Sequence, residues 1–249
     1  MSGRRVVYGL HAVTAALKRR PEAVFEVFLD SGRSDPRTQR IVDLAKAAGV
    51  RLQQADSDRL EGFARGGRHQ GVAAFVEDVS LAGSLNEVLD TLAEPALLLV
   101  LDGVQDPHNL GACLRVADAM GVHAVVAPKD RATGLTATVT KVASGAAESI
   151  PFIPVTNLAR TLRELKDKGI WIIGTAGEGG ASLFEAGLSG PLALVLGAED
   201  EGLRRLTRET CDELVSIPML GQVESLNVSV AAGICLYEAR RQRRVAAGR

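Results

Sequence analysis

The sequence has 249 residues, of which 46% are hydrophobic and 24% charged, and its formal net charge of −1 is typical of a soluble globular protein. The longest purely apolar run, Ala96 to Leu101, is far shorter than the roughly 20 residues of a membrane span, and no signal-peptide core follows the first residues, which predicts a cytoplasmic protein. Three cysteines, Cys113, Cys211 and Cys235, form no C-x-x-C pair, so the sequence predicts neither a disulfide framework nor a metal site.

The first eighty residues alternate helical and strand patterns, which is typical of a small α/β domain. They carry 13 Lys and Arg against 10 Asp and Glu, and this mild basic excess weakly favours a polyanionic partner. The predicted elements, in order, are a helix at 10–17, a strand at 24–29, a helix at 41–48, and strands at 50–53 and 71–76.

A loop with two glycines, residues 65–70, precedes the last of these strands. Its side chains Arg65, Arg68 and His69 are suited to contacts with the phosphates of a nucleic acid. A solvated loop without a ligand explains the same residues equally well. The three side chains are therefore candidates for RNA binding.

The sequence is less regular between residues 79 and 94, where Gly83 and Ser84 precede a short amphipathic stretch that ends before Pro95. Such a change of composition is typical of a linker. The predicted division is an N-terminal domain at 1–78, a linker at 79–94 and a C-terminal domain at 95–249.

Nearly continuous apolar strands, each followed by a polar or glycine-rich turn, begin after Pro95. This pattern predicts a parallel sheet covered by helices on both faces. Ligands of such sheets bind beyond the carboxyl ends of the strands, so the turns are the expected functional positions. The predicted strands are 96–102, 123–127, 170–174, 192–196 and 214–217.

The first of these turns leads into a helix predicted at residues 110–120. Arg115 lies off the apolar stripe of this helix, one turn after Gly111, whose missing side chain is expected to leave room for a ligand. An arginine at this edge of a sheet is suited to a phosphate or carboxylate, although an exposed helical arginine without a ligand is the common alternative.

Two glycine-rich turns follow at residues 174–180 and 197–202. The first does not have the G-x-G-x-x-G spacing of a dinucleotide site, so a nicotinamide-dependent reductase is not favoured. The second contains three acidic residues, of which Glu199 lies nearest the strand and is the candidate for a local role.

A short strand, a Pro/Gly turn at 218–221 and a helix predicted from Ser225 to about Arg244 end the chain. Ser225 and Asn227 can cap the first turn of this helix or contact a ligand, because a helix start has unpaired N–H donors. The small residues Ala231, Ala232 and Gly233 permit close helix packing, either within the chain or with a second copy.

Three ordered motifs give the sequence a resemblance to the SpoU/TrmH branch of the SPOUT methyltransferases. The N-terminal part, from Tyr8 to Ala73, resembles the substrate-binding module of that branch, and the likeness covers nearly the whole chain. The motifs are Asp106-Pro107-x-Asn109-x-Gly111-x-x-x-Arg115, then Gly197-x-Glu199-x-x-Gly202-Leu203, then Ile217-Pro218-Met219 with Ser225-Leu226-Asn227-Val228-Ser229-Val230-Ala231.

This resemblance implies an α/β protein with a C-terminal parallel-sheet SPOUT domain that contains a deep trefoil knot, plus a small L30e-like N-terminal domain. It implies transfer of a methyl group from S-adenosylmethionine to the ribose 2'-hydroxyl of a guanosine in 23S ribosomal RNA, with the peptidyl-transferase P loop as the expected location. The partners it implies are 23S ribosomal RNA or a ribosomal precursor, and a second copy of the chain in a homodimer.

The resemblance also implies the roles of individual residues. The family assigns the position of Arg115 as general base, whereas a guanidinium with a pKa above about 12 is a poor base and is equally suited to bind the target phosphate. The catalytic positions are Asn109, Arg115, Glu199, Ser225 and Asn227, and the cofactor positions are Thr175, Gly197, Ile217, Met219 and Leu226.

Two alternatives remain open from the sequence. The same chemistry on transfer RNA is one, although transfer RNA relatives usually lack the N-terminal module. A ribosome-assembly factor that binds RNA without catalysis is the other, although all five catalytic positions hold the residue type of the family.

Overall fold

In the computed structural model, contacts divide the chain into two compact units, residues 1–80 and 81–249. No helix in the described part of the chain combines the length and apolar character that a membrane crossing requires. The structure describes residues 3–32, 35–64, 66–78, 83–177, 181–198 and 201–248.

The first unit is built on a four-stranded sheet with strand order β1-β4-β2-β3. The central strand β4 is antiparallel to both β1 and β2, while β2 and β3 are parallel. The elements are β1 Gly3–Tyr8, α1 Leu10–Arg19, β2 Val24–Asp30, α2 Pro36–Ala47, β3 Arg51–Ala55, α3 Ser57–Ala64 and β4 Val72–Asp78.

Alternate residues of β4 enter two different cores, as the two-residue period of a strand requires. Ala74 packs in a cluster with apolar side chains of α1 and α2, whereas Ala73 packs in a second cluster with Leu60 of α3. Two apolar faces of one sheet, each covered by helix, confirm the α/β character predicted for this part of the chain.

Two elements of this unit differ from the prediction. The helix predicted to begin at Ile41 begins at Pro36, because the side chain of Asp35 accepts hydrogen bonds from the backbone N–H groups of Arg37 and Thr38 at 2.9 and 3.1 Å. Strand β1 was not predicted, since its arginines hide the strand pattern, and it forms by pairing with β4.

The second unit contains a seven-stranded sheet with strand order β7-β6-β5-β10-β8-β11-β9, in which every paired strand is parallel. This sheet confirms the predicted fold class. Its strands are β5 Leu97–Asp102, β6 Ala124–Pro128, β7 Phe152–Val155, β8 Trp171–Thr175, β9 Ala181–Ser182, β10 Leu192–Gly197 and β11 Glu213–Ser216.

Helices cover both faces of this sheet. Leu99 of β5 packs in one buried cluster with α5 and α9, while Leu98 packs in a second cluster with α4 and α7. The helices are α4 Leu85–Asp90, α5 Pro107–Ala119, α6 Ala137–Ala143, α7 Leu158–Asp167, α8 Arg205–Thr210 and α9 Val228–Ala246.

Strand β7 and helix α4 show where the sequence pattern was insufficient. Pro154 conceals β7, but the strand lies at the edge of the sheet, where a proline costs no ladder hydrogen bond on its open side. Within the predicted linker, α4 buries Val88 in the second unit. The domain limits drawn from the sequence remain a prediction.

Candidate active site

A pocket of about 190 Å³ lies where the carboxyl ends of β8, β10 and β11 meet the segment leading into α9. This is the edge at which parallel sheets bind ligands. Among its lining residues are all five positions that the sequence resemblance assigns to the cofactor, namely Thr175, Gly197, Ile217, Met219 and Leu226.

Gly197 ends β10 in the wall of this pocket, and its missing side chain is a steric requirement. A Cβ at this position would lie 2.1 Å from the carbonyl carbon of Gly202 and 2.4 Å from the backbone nitrogen of Leu203. The chain after β10 therefore turns back directly over Gly197, and Gly202 closes the turn by donating its N–H to Ala198 at 2.9 Å.

The pocket is mostly backbone and aliphatic surface with a few polar groups. The Thr175 hydroxyl donates to the carbonyl of Val195 at 3.3 Å, which fixes that side chain at the end of β8. Glu224 and Ser225 add polar groups from the exposed loop before α9. The sequence did not identify Glu224, because an acidic residue in a loop carries no distinguishing pattern.

Helix α9 begins at Val228, so the prediction that it begins at Ser225 was wrong. Asn227 is the N-cap residue, and its Oδ1 accepts from the N–H of Ser229 at 3.0 Å and from its hydroxyl at 2.6 Å. Ser225 precedes the helix and lines the pocket instead of capping. The cap uses the Oδ1 of the Asn227 amide, so its NH₂ group remains available to donate to another residue.

That NH₂ group joins the last motif to the first. Asn227 Nδ2 donates to Asn109 Oδ1 at 2.9 Å, across a separation of 118 residues. Asn109 lies in the first turn of α5, whose N-cap Asp106 accepts from the N–H of His108 at 2.9 Å. Two of the predicted catalytic residues are thus held together by the starts of α5 and α9.

Arg115 is exposed on α5, and no carboxylate of the described residues lies within salt-bridge distance of it. It does not line the pocket. Its guanidinium is therefore accessible to a ligand outside the pocket. Glu199, another of the predicted catalytic positions, lies outside the described residues.

The expectation that Gly111 leaves room for a ligand was wrong. A Cβ on Gly111 would lie 2.6 Å from Cβ of Val142 and 2.9 Å from the carbonyl oxygen of Val139. The space is occupied by α6, which packs against α5 at this point. Gly111 is needed for the close approach of two helices.

Replacing Gly111 by alanine is expected to lower the free energy of unfolding by about 1–3 kcal/mol, because the added methyl group overpacks the contact between α5 and α6. Chemical denaturation monitored by circular dichroism measures this loss. The control is Gly62→Ala in α3, where the new Cβ meets open space. That variant should be at least as stable as the parent, and equal stability of the two variants would contradict the packing role.

The predicted RNA-binding loop belongs to the first unit. Arg65 lies outside the described residues, and Arg68 is exposed. The His69 Nδ1 accepts from the N–H of Gly71 at 3.1 Å, and its Nε2 lies 3.6 Å from a carboxylate oxygen of Glu61. His69 thus contributes to the conformation of the loop, and among the described residues of the loop Arg68 is the accessible cation.

The cysteines of the second unit have the chemistry of buried thiols. Burial raises the pKa of Cys211 to about 11 and that of Cys235 to about 12, so both are protonated at neutral pH and are weak nucleophiles. The described residues contain no group of three His, Cys, Asp or Glu side chains that could hold a metal ion.

Comparisons with known proteins agree with this geometry. Residues 96–237 match the SpoU rRNA Methylase family, and residues 6–82 match the family of RNA 2'-O ribose methyltransferase substrate binding domains. A crystal structure of the SpoU methyltransferase AviRb from Streptomyces viridochromogenes, in complex with the cofactor AdoMet, superposes with a TM-score of 0.75 at 26% identity, over 98% of this chain and 92% of that one.

Two relatives are similar over nearly their full lengths. The 23S rRNA (guanosine-2'-O-)-methyltransferase RlmB of Ralstonia nicotianae is 61% identical over 98% of this chain and 98% of its own. The protein of the same name from Bordetella pertussis is 56% identical over 98% of this chain and 99% of its own. With the pocket and the paired asparagines in place, these matches show that the chain belongs to the SpoU rRNA methylase family.

Proposed function

We propose that this protein transfers a methyl group from S-adenosylmethionine to the ribose 2'-hydroxyl of a guanosine in 23S ribosomal RNA. The observation that carries the proposal is the pocket at the carboxyl ends of β8, β10 and β11, which gathers the cofactor positions of all three turns. The substrate follows from the two relatives, whose names specify 23S rRNA guanosine and which match this chain from end to end.

The pocket residues fit S-adenosylmethionine chemically. Leu196, Ile217 and Leu226 offer aliphatic surface for an adenine ring, and the glycine-rich walls let backbone groups approach it. The carboxylate of Glu224 lies in the same lining and suits a cationic sulfonium. When bound, the cofactor supplies the methyl group and leaves as the neutral thioether.

The residues around the pocket can position the acceptor. The hydrogen bond between Asn109 and Asn227 fixes both amides beside the pocket, where they can orient the ribose. The exposed Arg115 is suited to bind the phosphate of the target nucleotide through two N–H groups, and the hydroxyl proton then leaves to that phosphate. Ser225 and Glu199 are the other two residues of the proposed catalytic set.

The first unit is proposed to hold the RNA around the target nucleotide, through Arg65, Arg68 and His69. The match to a substrate-binding family over residues 6–82 supports this role. The division into domains 1–78 and 95–249, the L30e-like fold, the trefoil knot and a location in the cytoplasm, where ribosomes are assembled, are parts of the same proposal.

We also propose that the protein forms a homodimer through α9. Val230, Ile234 and Tyr237 follow one another at helical spacing on α9 and are 49%, 38% and 65% exposed. Val223, in the loop before the helix, is a further apolar side chain and is 63% exposed. Aliphatic and aromatic side chains in such a stripe are typical of a helix that packs against a second copy.

Replacing Ile234 by glutamate is therefore expected to convert the dimer into a monomer at micromolar concentration, because a charge would be buried in an apolar contact. Sedimentation velocity measures the two species. Leu206→Glu on α8, where the leucine is 50% exposed, is the matched control and should remain dimeric. A wild-type chain that sediments as a monomer would refute the proposed dimer.

Methyl incorporation into purified RNA tests the proposed activity. The protein is incubated with labelled S-adenosylmethionine and with either 23S ribosomal RNA or bulk transfer RNA. Label in the ribosomal RNA alone is the expected result. Label in transfer RNA would favour the alternative substrate, and cofactor binding without product in either RNA would favour a non-catalytic assembly factor.

A further inference from the structure

Asp102 is the only fully buried carboxylate among the described residues, with 0% of its surface exposed. It ends β5, and its backbone pairs in register with Gly197, which lines the pocket. Removing a carboxylate from water is unfavourable unless a cation and hydrogen bonds compensate for the lost hydration. A charged side chain at this place therefore calls for a specific partner.

Arg204 is that partner and makes three contacts with the carboxylate. Its backbone N–H donates to Oδ2 of Asp102 at 2.9 Å, its Nε donates to Oδ1 at 2.6 Å, and its Nη2 lies 2.5 Å from the same oxygen. The arginine side chain is 37% exposed, so the guanidinium closes the carboxylate off from solvent. Both the backbone and the side chain of Arg204 are fixed in this way.

The contacts of Arg204 hold the chain that forms one wall of the pocket. Ala198 and Gly202 line the pocket and are joined by a hydrogen bond of 2.9 Å. Leu203 follows, and its side chain fills the space beside Gly174, where a Cβ would lie 2.7 Å from Cδ1 of the leucine. The next residue is Arg204, which returns the chain to the end of β5.

We propose that the ion pair between Asp102 and Arg204 is a positioning device that fixes Ala198 and Gly202 in the pocket wall for cofactor binding. The inference rests on the proposed function, because it takes S-adenosylmethionine as the ligand of the pocket. Neither charged residue lines the pocket, so both act through the backbone of Gly202 and Leu203, which directly precedes Arg204. The pair determines the affinity for the cofactor and takes no part in the methyl-transfer step.

Titration calorimetry with S-adenosylmethionine tests this role. Arg204→Ala should raise the Kd about tenfold, which is ~1.4 kcal/mol. At saturating cofactor, kcat and the KM for RNA should stay within about twofold of the parent values, since only binding of the cofactor is lost. Arg204→Lys keeps the charge but loses the fork, and it should recover part of the affinity.

Arg205→Ala is the matched control. Arg205 is the adjacent residue, its side chain is 76% exposed, and its ion pair with Glu209 lies on the surface of α8. This variant should bind the cofactor as the parent does. Asp102→Asn should weaken binding as Arg204→Ala does, and the double variant should bind no more weakly than either single variant, because both changes break one interaction.

Circular dichroism and thermal unfolding of each variant separate positioning from loss of fold. Parent-like affinity of Arg204→Ala would overturn the inference, and so would a loss of affinity that only matches the fraction of unfolded protein. If the parent protein itself binds no S-adenosylmethionine, the proposed function fails and the inference fails with it. Weak binding by a folded Arg204→Ala beside a tight-binding parent is the supporting result.

Discussion

Alanine in place of Arg115 is expected to lower kcat for RNA methylation by about a thousandfold, the scale associated with removing a group that stabilises or orients the reacting centre. Arg115 is exposed on α5, and no described carboxylate is within salt-bridge distance of it, so its guanidinium is accessible to the substrate. Because Arg115 does not line the pocket, the Kd of S-adenosylmethionine should change by less than about twofold.

Single-turnover methyl transfer with saturating cofactor measures this loss, and calorimetry measures the cofactor affinity. Arg208→Ala, an exposed arginine on α8, is the matched control and should turn over normally. Arg115→Lys keeps the charge without the planar fork and should recover only a small part of kcat. Parent-like turnover of Arg115→Ala would remove Arg115 from the catalytic set.

Alanine in place of Gly197 is expected to weaken S-adenosylmethionine binding by more than about a hundredfold, which is ~2.7 kcal/mol. The added Cβ would lie 2.1 Å from the backbone of Gly202, so the turn after β10 has to move away from the pocket. A clash with backbone cannot be relieved by a side-chain rotation. The same displacement should reduce turnover at any accessible cofactor concentration.

Calorimetry of the Gly197→Ala protein gives the affinity, and circular dichroism confirms that the sheet is retained. Gly187→Ala is the control, because its new Cβ meets nothing within 4 Å. It should bind the cofactor normally. Parent-like affinity of a folded Gly197→Ala would contradict the role of this turn in cofactor binding.

The sheet of the second unit was predictable because its strands are continuously apolar. Strands β5 and β10 are buried at nearly every position, and only a parallel sheet covered on both faces accommodates such strands. Strand β7 was not predicted, since Pro154 interrupts its pattern and the edge position that tolerates a proline is a property of the assembled sheet.

The candidate site was predictable only in part. Residue type and turn position pointed to the glycine-rich turn at residues 197–202. The family resemblance placed Gly197 in the cofactor site and Asn109 and Asn227 in the catalytic set, but no local pattern predicts a hydrogen bond across 118 residues. The prediction for Gly111 was wrong because α6, the helix that packs against this glycine, was not predicted from the sequence. The partner of Asp102 lies 102 residues away and was likewise outside the reach of local patterns.

The most direct test of the proposed activity is a map of 2'-O-methylation across ribosomal RNA, read at single-nucleotide resolution from cells with and without this protein. We expect one guanosine of 23S ribosomal RNA to lose its methyl group when the protein is absent, and we expect the parent gene to restore it while the Arg115→Ala variant does not. An identical methylation map in both cells, or restoration by the Arg115→Ala variant, would contradict the proposed activity and its site.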